Sequence, residues 1–356
     1  RESRVRLGVS TTGATRLYAD GRVLVDEQLG DPSQPFAAGV SSADLRVHGP
    51  VDVVVRQELD PRTMSFGLMM IALGTQPADT DIDSLIDEAA AVAAESDVAV
   101  VVVGTTAQTE SEGSDRTTLA LPGARDALVR AVAGANPRTV VVVNSGAPVL
   151  MPWRDDVAAL LLTWFGGQEY GHALADVLLG RHEPGGRLPT TWPAEESDVP
   201  VLSTTPTDGV MQYREGIHIG YRAWLKSAVP PAYWFGYGLG YTTWALSDLR
   251  VSAPRPDGAV DLTVAVHNTG SRAGKQVVQV YLSRSDSAVD RPVRWLAGFA
   301  TATAEAGETH HSAVMVPARA FAHWDDGWQT EAGTFTLHVG TSVVDLPLNA
   351  EITIDA

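Results

Sequence analysis

The feature that most constrains the fold is an apolar, β-branched run at residues 98–104, which reads VAVVVVG. A continuous run of this kind is typical of a strand buried on both faces of a parallel sheet. A long polar loop follows it and carries two glutamates, an aspartate and an arginine: Glu110, Glu112, Asp115 and Arg116. Ligands of open α/β sheets bind beyond the carboxyl ends of the strands, so carboxylates at this position indicate chemistry.

Helical and extended patterns alternate around this run. We predict helices at 81–95, 124–135 and 168–179, and strands at 139–143 and 158–163. Such alternation favours right-handed crossovers and a doubly wound, mainly parallel sheet that is covered on both faces. The polar loop, the loop at 144–152 and the segment at 164–167 are then expected at one edge of the sheet.

Antiparallel β patterns flank this α/β region. Asp20-Gly21, set between alternating apolar residues, predicts a hairpin turn, because glycine adopts a positive φ at low cost. With further strands predicted at 5–11, 51–57 and 65–72, it forms a partial β-sandwich whose beginning we expect to precede residue 1. Short strands separated by turns predict a second sandwich in the last third of the chain: 260–267, 275–283, 313–316, 333–339 and 343–354.

These patterns divide the chain into four parts. Residues 1–75 are the partial sandwich, residues 76–195 are the α/β domain, and residues 245–356 are the second sandwich. Residues 196–244 form a connector rich in glycine and aromatic residues, which predicts loops packed closely against another surface.

Composition excludes several classes of function. The net charge of -17 makes nucleic acid and anionic membranes poor partners. The chain has no cysteine, which removes disulfides, thiol nucleophiles and cysteine-bound metals. No apolar run reaches the roughly 18 to 20 residues that a membrane span requires.

The sequence lacks the motifs of several other classes of enzyme and of metal sites. No Gly-x-Gly-x-x-Gly follows the first parallel strand, which disfavours a dinucleotide enzyme, and Asn144-Ser145-Gly146 lacks the Gly-x-Ser-x-Gly elbow of α/β hydrolases. His310 and His311 are adjacent, with no third ligand at metal spacing. We therefore predict no metal and no cofactor.

The polar loop has both plain and functional interpretations. Glu112 is either a solvated loop residue or an acid aimed at a substrate, and Asp115-Arg116 is either an ion pair that supports the loop or a contact to sugar. Trp164, at a predicted strand end, is the aromatic residue best placed to stack on a sugar or to shield the site. Glycoside hydrolysis needs two carboxyl groups, so one candidate acid is half of a mechanism.

Several motifs in one order resemble glycoside hydrolase family 3, and the resemblance covers nearly the whole chain. They are EGSDR at 112–116, WFGGQEYG at 164–171, PGGRLP at 184–189, YREGIHIGYR at 213–222 and FGYGLGYT at 235–242. The first sandwich resembles the closing part of a protective-antigen-like domain, which some members insert in their second catalytic domain. The last domain resembles the fibronectin type III-like domain that closes many members.

The resemblance implies a retaining exo-β-glycosidase, most often a β-glucosidase that removes terminal glucose. It assigns the acid/base to Glu112, with Glu110 as the second choice. The loop sequence itself predicts a supporting role for Asp115 and Arg116. The nucleophilic aspartate belongs to a preceding (β/α)8 barrel, so we expect this chain to need that N-terminal portion as its partner. The connector at 196–244 is expected to pack on that barrel.

Substrate choice is predicted from the same resemblance. Ser114 stands where many members have an aromatic residue beside the leaving group, which suggests room for a bulky aglycone such as a macrolide. Ser114, from the resemblance, and Trp164, from its position at a predicted strand end, are the predicted substrate-binding residues. We predict a secreted protein, with the cytoplasm as the alternative location.

The competing hypothesis is a non-catalytic assembly whose sandwiches bind carbohydrate around an α/β scaffold.

Overall fold

The computed structural model describes residues 3–30, 38–58, 71–77, 81–107, 109–112, 115–201 and 205–355. Its contacts group into two units, each of which is described by itself. The first unit holds Arg1–Ala147 with Met151–Phe165, and the second holds Pro148–Leu150 with Gly166–Ala356.

The first unit begins with a β-sandwich. Its strands are β1 (Ser3–Thr11), β2 (Gly13–Ala19), β3 (Arg22–Leu29), β4 (Gly39–Val47), β5 (Val53–Gln57) and β6 (Ala72–Pro77). In one sheet β1 lies between β4 and β6, and in the other β2 lies between β3 and β5, with all pairs antiparallel. Leu7, Val9, Leu17 and Val25 form the core between the two sheets.

The predicted hairpin is confirmed. β2 and β3 pair around Asp20 and Gly21, whose φ angles are 47° and 77°, as a tight turn requires. β4 was not predicted. Most of the predicted strand at 65–72 lies outside the described residues.

The α/β segment of this unit contains α1 (Ile82–Ala94), β7 (Ala99–Gly104), α2 (Arg125–Ala135), β8 (Thr139–Asn144) and β9 (Ala159–Leu162). The strands are parallel in the order β7-β8-β9, and α2 packs against β7, β8 and α1. The predicted parallel α/β fold is confirmed. The helices predicted at 81–95 and 124–135 match α1 and α2.

Strand β7 is buried on one face only. Val101 and Val103 are buried, but Val100 and Val102 are 50% and 54% exposed. The expectation that this run is buried on both faces is therefore wrong for these two valines, because no element among the described residues covers them.

The described part of the second unit carries the α-helices α3 (Tyr170–Leu178) and α4 (Tyr221–Lys226), short 3-10 helices at Glu196–Asp198 and Ala318–Phe321, and a C-terminal sandwich. The sandwich strands are β10 (Trp244–Val251), β11 (Val260–Asn268), β12 (Gly274–Ser283), β13 (Trp295–Ala304), β14 (Thr309–Val316), β15 (Ala322–Trp324), β16 (Trp328–Thr330), β17 (Gly333–Gly340) and β18 (Leu348–Ile354). β11 lies between β10 and β14, the second sheet has the order β13-β12-β17-β18, and β15 pairs with β16. Val264, Val280, Phe335 and Leu337 lie in its core. The predicted second sandwich is confirmed, although β10 and β13 were not predicted.

The glycine-rich connector packs closely within this unit. The Gly236 N–H donates to the Leu188 carbonyl at 2.8 Å, and the Gln279 amide of β12 donates to the Gly236 carbonyl at 2.9 Å. Gly236 has a φ of 82°, and a Cβ there would also overlap the Gln279 side chain, so glycine is required. Close packing is thus confirmed against the C-terminal sandwich, while packing on a barrel stays a prediction.

Among the described residues, no helix has both the length and the apolar character that crossing a membrane demands.

Candidate active site

The candidate site is built at the carboxyl ends of β7 and β8. The Thr105 N–H, just after β7, donates to the carbonyl of Asn144, the last residue of β8, at 3.0 Å. The two strand ends approach so closely that a Cβ on Gly104 would overlap this carbonyl. The loops that follow the two strands therefore start side by side.

A tight turn then brings Glu110 back to this edge. The N–H groups of Thr109 and Glu110 donate to the Thr106 carbonyl at 2.9 and 2.8 Å, and the Thr106 N–H donates to Thr109 Oγ1 at 2.8 Å. These bonds fix the start of the polar loop.

The Glu110 carboxylate is bound at both oxygens. Arg116 Nη1 donates to Oε1 at 3.1 Å, and the Gly146 N–H donates to Oε2 at 2.9 Å. Ser145 Oγ lies 3.3 Å from Oε1 and also contacts the Ala147 carbonyl, so these two acceptors share its single O–H donor. The Glu110 and Arg116 side chains are only 13% and 15% exposed, so this ion pair is shielded from water.

Gly146 lies where the three strand-end loops meet. A Cβ at this position would come within 2.7 Å of both Glu110 Oε2 and the Phe165 ring. Since such distances are far below ordinary van der Waals contact, a side chain here would displace the loop after β7, the loop after β9, or both.

Trp164 follows β9 in an unusual backbone conformation. Its φ of 53° lies in the left-handed region, which non-glycine residues seldom adopt and which costs about 1–3 kcal/mol. The preceding Thr163 is anchored to β8, since its N–H and its hydroxyl donate to the Val143 carbonyl at 3.0 and 3.1 Å. The strain is thus held at the edge that carries Glu110, with the Trp164 side chain partly exposed.

Two other predicted site residues, Glu112 and Asp115, are more exposed to solvent than Glu110. Glu112 is exposed, and its carboxylate has no hydrogen-bond or ion-pair partner in the described part of the chain. Asp115 is exposed too, and Arg116 pairs with Glu110 across the loop. Ser114 lies outside the described residues.

The structure adds Ser145, Gly146 and Phe165 to the site. Sequence analysis placed their segments, 144–152 and 164–167, at this edge of the sheet but gave these three residues no role, and it tested Asn144-Ser145-Gly146 only as a nucleophile elbow. The glycine acts through its N–H and its missing side chain.

Metal ligation has no basis within the described ranges. There, no three His, Asp or Glu side chains cluster in a way that could hold an ion.

Comparison with known proteins identifies two domains. The glycosyl hydrolase family 3 C-terminal domain matches residues 12–241, and the fibronectin type III-like domain matches residues 276–343. The chain is 36% identical to the probable beta-glucosidase J of Neosartorya fischeri over 97% of its own length and 43% of that protein.

Solved structures agree with these matches. A beta-glucosidase from Kluyveromyces marxianus in complex with glucose aligns with 100% of this chain and 43% of its own, at 36% identity and a TM-score of 0.91. DesR, a beta-glucosidase from Streptomyces venezuelae in complex with D-glucose, aligns with 99% of this chain and 45% of its own, at 33% identity and a TM-score of 0.77. The chain thus spans less than half the length of these relatives.

Proposed function

The chain belongs to glycosyl hydrolase family 3, and from that membership we propose that it supplies the acid/base to a retaining exo-β-glucosidase. Its relatives are named beta-glucosidases, which supports a β-glucoside as the substrate. The nucleophile lies in an N-terminal barrel portion that this chain does not contain, in keeping with the share of the relatives that it spans. The alternative of a purely carbohydrate-binding assembly draws no support from these relatives.

One observation carries the assignment of the acid/base to Glu112. Of the two loop glutamates, Glu110 is bound at both carboxylate oxygens, whereas Glu112 is exposed and unpartnered among the described residues. A proton donor must alternate between the neutral and the charged form. Arginine and a backbone N–H bind a carboxylate in its charged form, so Glu110 is poorly suited to carry the proton and Glu112 is free to do so.

The reaction then follows two steps. Glu112 gives its proton to the glycosidic oxygen while the barrel aspartate attacks the anomeric carbon, so the aglycone leaves as a neutral alcohol and a glycosyl-enzyme ester forms. Glu112, now a carboxylate, takes a proton from water. That water attacks the anomeric carbon, releases glucose and regenerates both carboxyl groups.

The aglycone is proposed to be bulky. Ser114 is the residue that supports this, because a small side chain replaces the aromatic residue found in many members beside the leaving group. A macrolide is one aglycone of this size, and the Ser114→Phe variant tests the idea. It is expected to lower turnover of a macrolide glucoside while leaving a small aryl β-glucoside nearly unaffected.

Secretion is proposed as the location, to be checked by fractionating the producing cells and their medium.

The experiment that tests the catalytic assignment compares Glu112→Ala with Glu110→Ala in the enzyme that contains the barrel portion. With an unactivated β-glucoside, Glu112→Ala is expected to lower kcat about 100- to 10,000-fold. With an activated aryl β-glucoside, whose leaving group needs no proton, azide is expected to restore turnover and to yield a glucosyl azide. Unchanged turnover of Glu112→Ala, or rescue by azide in Glu110→Ala alone, contradicts the assignment.

A further inference from the structure

The proposed reaction gives Glu110 no role, yet its carboxylate makes a hydrogen bond in addition to its ion pair with Arg116. Its carboxylate joins a residue of its own loop, Arg116, to the N–H of Gly146 in the neighbouring loop. Both bonds are charge-assisted, and both charged side chains are largely shielded from water.

The position of these contacts along the chain is informative. Glu110 and Arg116 lie on either side of Glu112, so their ion pair closes the base of the loop that contains Glu112. The bond to Gly146 then fastens this closed base to the end of β8. A loop closed at its base samples fewer conformations than one that is anchored only through the β7 strand.

Gly146 leaves space for the neighbouring loops because it has no side chain. The missing Cβ leaves space that Glu110 Oε2 and the Phe165 ring occupy, which brings the loops after β7 and β9 against one backbone position. A shift of any one of these loops therefore displaces the others.

We propose that Glu110, Arg116 and Gly146 form a clamp that positions the acid/base Glu112, with Glu110 as the positioning residue. The proposal rests on the proposed function and extends it. Glu110 does not touch the substrate. It acts by holding the 110–116 loop at the distance from which Glu112 reaches the glycosidic oxygen, and misplacement of a catalytic group by about 1 Å costs on the order of 100-fold in rate.

The test uses Glu110→Gln and Arg116→Lys in the barrel-containing enzyme. Glutamine keeps the shape of Glu110 and one acceptor oxygen but removes the charge. We expect kcat to fall about 10- to 100-fold for a β-glucoside with a poor leaving group, which needs a well-placed acid. For an activated aryl β-glucoside, the fall in the glycosylation step is expected to be several-fold at most.

Three further readouts separate positioning from catalysis and from folding. The basic limb of the kcat/KM pH profile is expected to persist in Glu110→Gln and to vanish in Glu112→Gln, because Glu112 is the proposed proton donor. Azide is expected to give no rescue in Glu110→Gln. The double variant Glu110→Gln/Arg116→Lys is expected to lose little more than either single variant, since both changes break one contact.

A matched control lies at the opposite ends of the same strands. Asp97 and Arg138 precede β7 and β8 and form an exposed ion pair at 3.7 Å. Asp97→Asn removes a loop carboxylate without touching the clamp, and kcat is expected to stay within about twofold of the parent enzyme.

Each outcome has one meaning. A fall in kcat that is equal for both leaving groups and that tracks a fall in Tm makes Glu110 merely structural and overturns the clamp. Parent-level turnover of Glu110→Gln, beside a disabled Glu112→Ala, also overturns the clamp and leaves the proposed function standing. Parent-level turnover of Glu112→Ala overturns the proposed function itself.

Discussion

Gly104 ends β7 where its Cα faces the backbone carbonyl of Asn144, and a Cβ would overlap that carbonyl. Gly134 lies on the exposed side of α2, with nothing within 4 Å of its added Cβ. We expect Gly104→Ala to lower the free energy of unfolding by about 2–3 kcal/mol through overpacking. Gly134→Ala is expected to raise it by about 0.5–1 kcal/mol, because alanine favours the helix. Urea unfolding followed by circular dichroism measures both, and a shift of the same sign in the two variants contradicts this account.

Trp164 is the residue for which substrate contact and folding can be separated. If its ring stacks on the sugar, Trp164→Phe raises KM about 3- to 10-fold, because aromatic contacts contribute about 0.5–1.5 kcal/mol. The left-handed backbone is kept in this variant, so Tm should change little. Trp192 is the control, since it is only 1% exposed. Trp192→Phe is expected to lower Tm with little change in KM, and the reverse pattern counts against a sugar contact at Trp164.

At this scale the sequence identified the loop, and the EGSDR motif favoured Glu112 over Glu110 through its resemblance to the family. The sequence did not show that the two carboxylates differ in their contacts. The difference comes from Gly146, which is distant in sequence and contributes only a backbone N–H and an absent side chain. Such contributions leave no signal in residue type.

Among the elements, the junction between α1 and β8 depends on one buried amide. Asn136 Nδ2 donates to the carbonyls of Ala93 and Ser96 at 2.9 Å each, and its Oδ1 accepts from the Arg138 N–H at 2.8 Å. Asn136→Ala removes all three bonds and leaves the Ser96 carbonyl and the Arg138 N–H without this partner, so we expect a loss of about 2–3 kcal/mol in the free energy of unfolding. Asn349→Ala, at an exposed position of β18, is the matched control and should fall within about 0.5 kcal/mol of the parent. Chemical denaturation of the two variants tests the difference.

The C-terminal sandwich contains a carboxyl group, Glu331, whose contribution to stability depends on pH. Burial alone would raise the pKa of Glu331. Hydrogen bonds from the Ala288 N–H, Ser287 and Arg291, together with the charge of Arg284, outweigh burial and lower the pKa to about 2. Because the unfolded-state pKa is near 4.3, the stabilisation is fully present above that pH and is lost as pH falls toward about 2.

The expected size of this effect is on the order of 3 kcal/mol. Glu331→Gln should be less stable than the parent at pH 7, since Arg284 and Arg291 lose their carboxylate. It should also show a flatter dependence of stability on pH between about 4.5 and 2. Unfolding at a series of pH values checks this, and an unchanged slope in the variant would show that other groups cause the acid sensitivity.

Elements encoded by strong local signals were predictable. α1, α2 and the β2–β3 hairpin each have a helical repeat or a turn sequence of their own. β4 and β13 were missed because small and polar residues dilute their apolar pattern, as in GVSSADLRV and WLAGFATATA. Their strand conformation depends on pairing with β1 and β12, which their own residues do not encode.

At the scale of the whole molecule, each unit has its own buried apolar residues, which include a cluster around Leu17 in the first unit and a cluster around Phe335 in the second. We expect calorimetry to resolve two unfolding transitions, because cooperativity follows contiguous packing. Glu331→Gln should lower the Tm of one transition and Gly104→Ala that of the other. A single transition that both variants shift equally would show that the two cores unfold together.

The combination of a parallel α/β fold with a C-terminal sandwich was predictable from the sequence, whereas the exposure of the parallel sheet was not. Val100 and Val102 share the residue type of their buried neighbours, so their sequence predicts burial. Whether a valine on a strand is covered depends on which other elements pack over it. That information is not contained in the strand itself.

The closure of the 110–116 loop at its base also bears on how new specificities arise. A segment whose two ends are fastened together tolerates exchange of its middle, because the anchoring bonds do not depend on what lies between them. If Glu112 is the proton donor as proposed, variation at residues 114 and 115 is expected to change the preferred aglycone without breaking the bonds that Glu110 makes to Arg116 and Gly146.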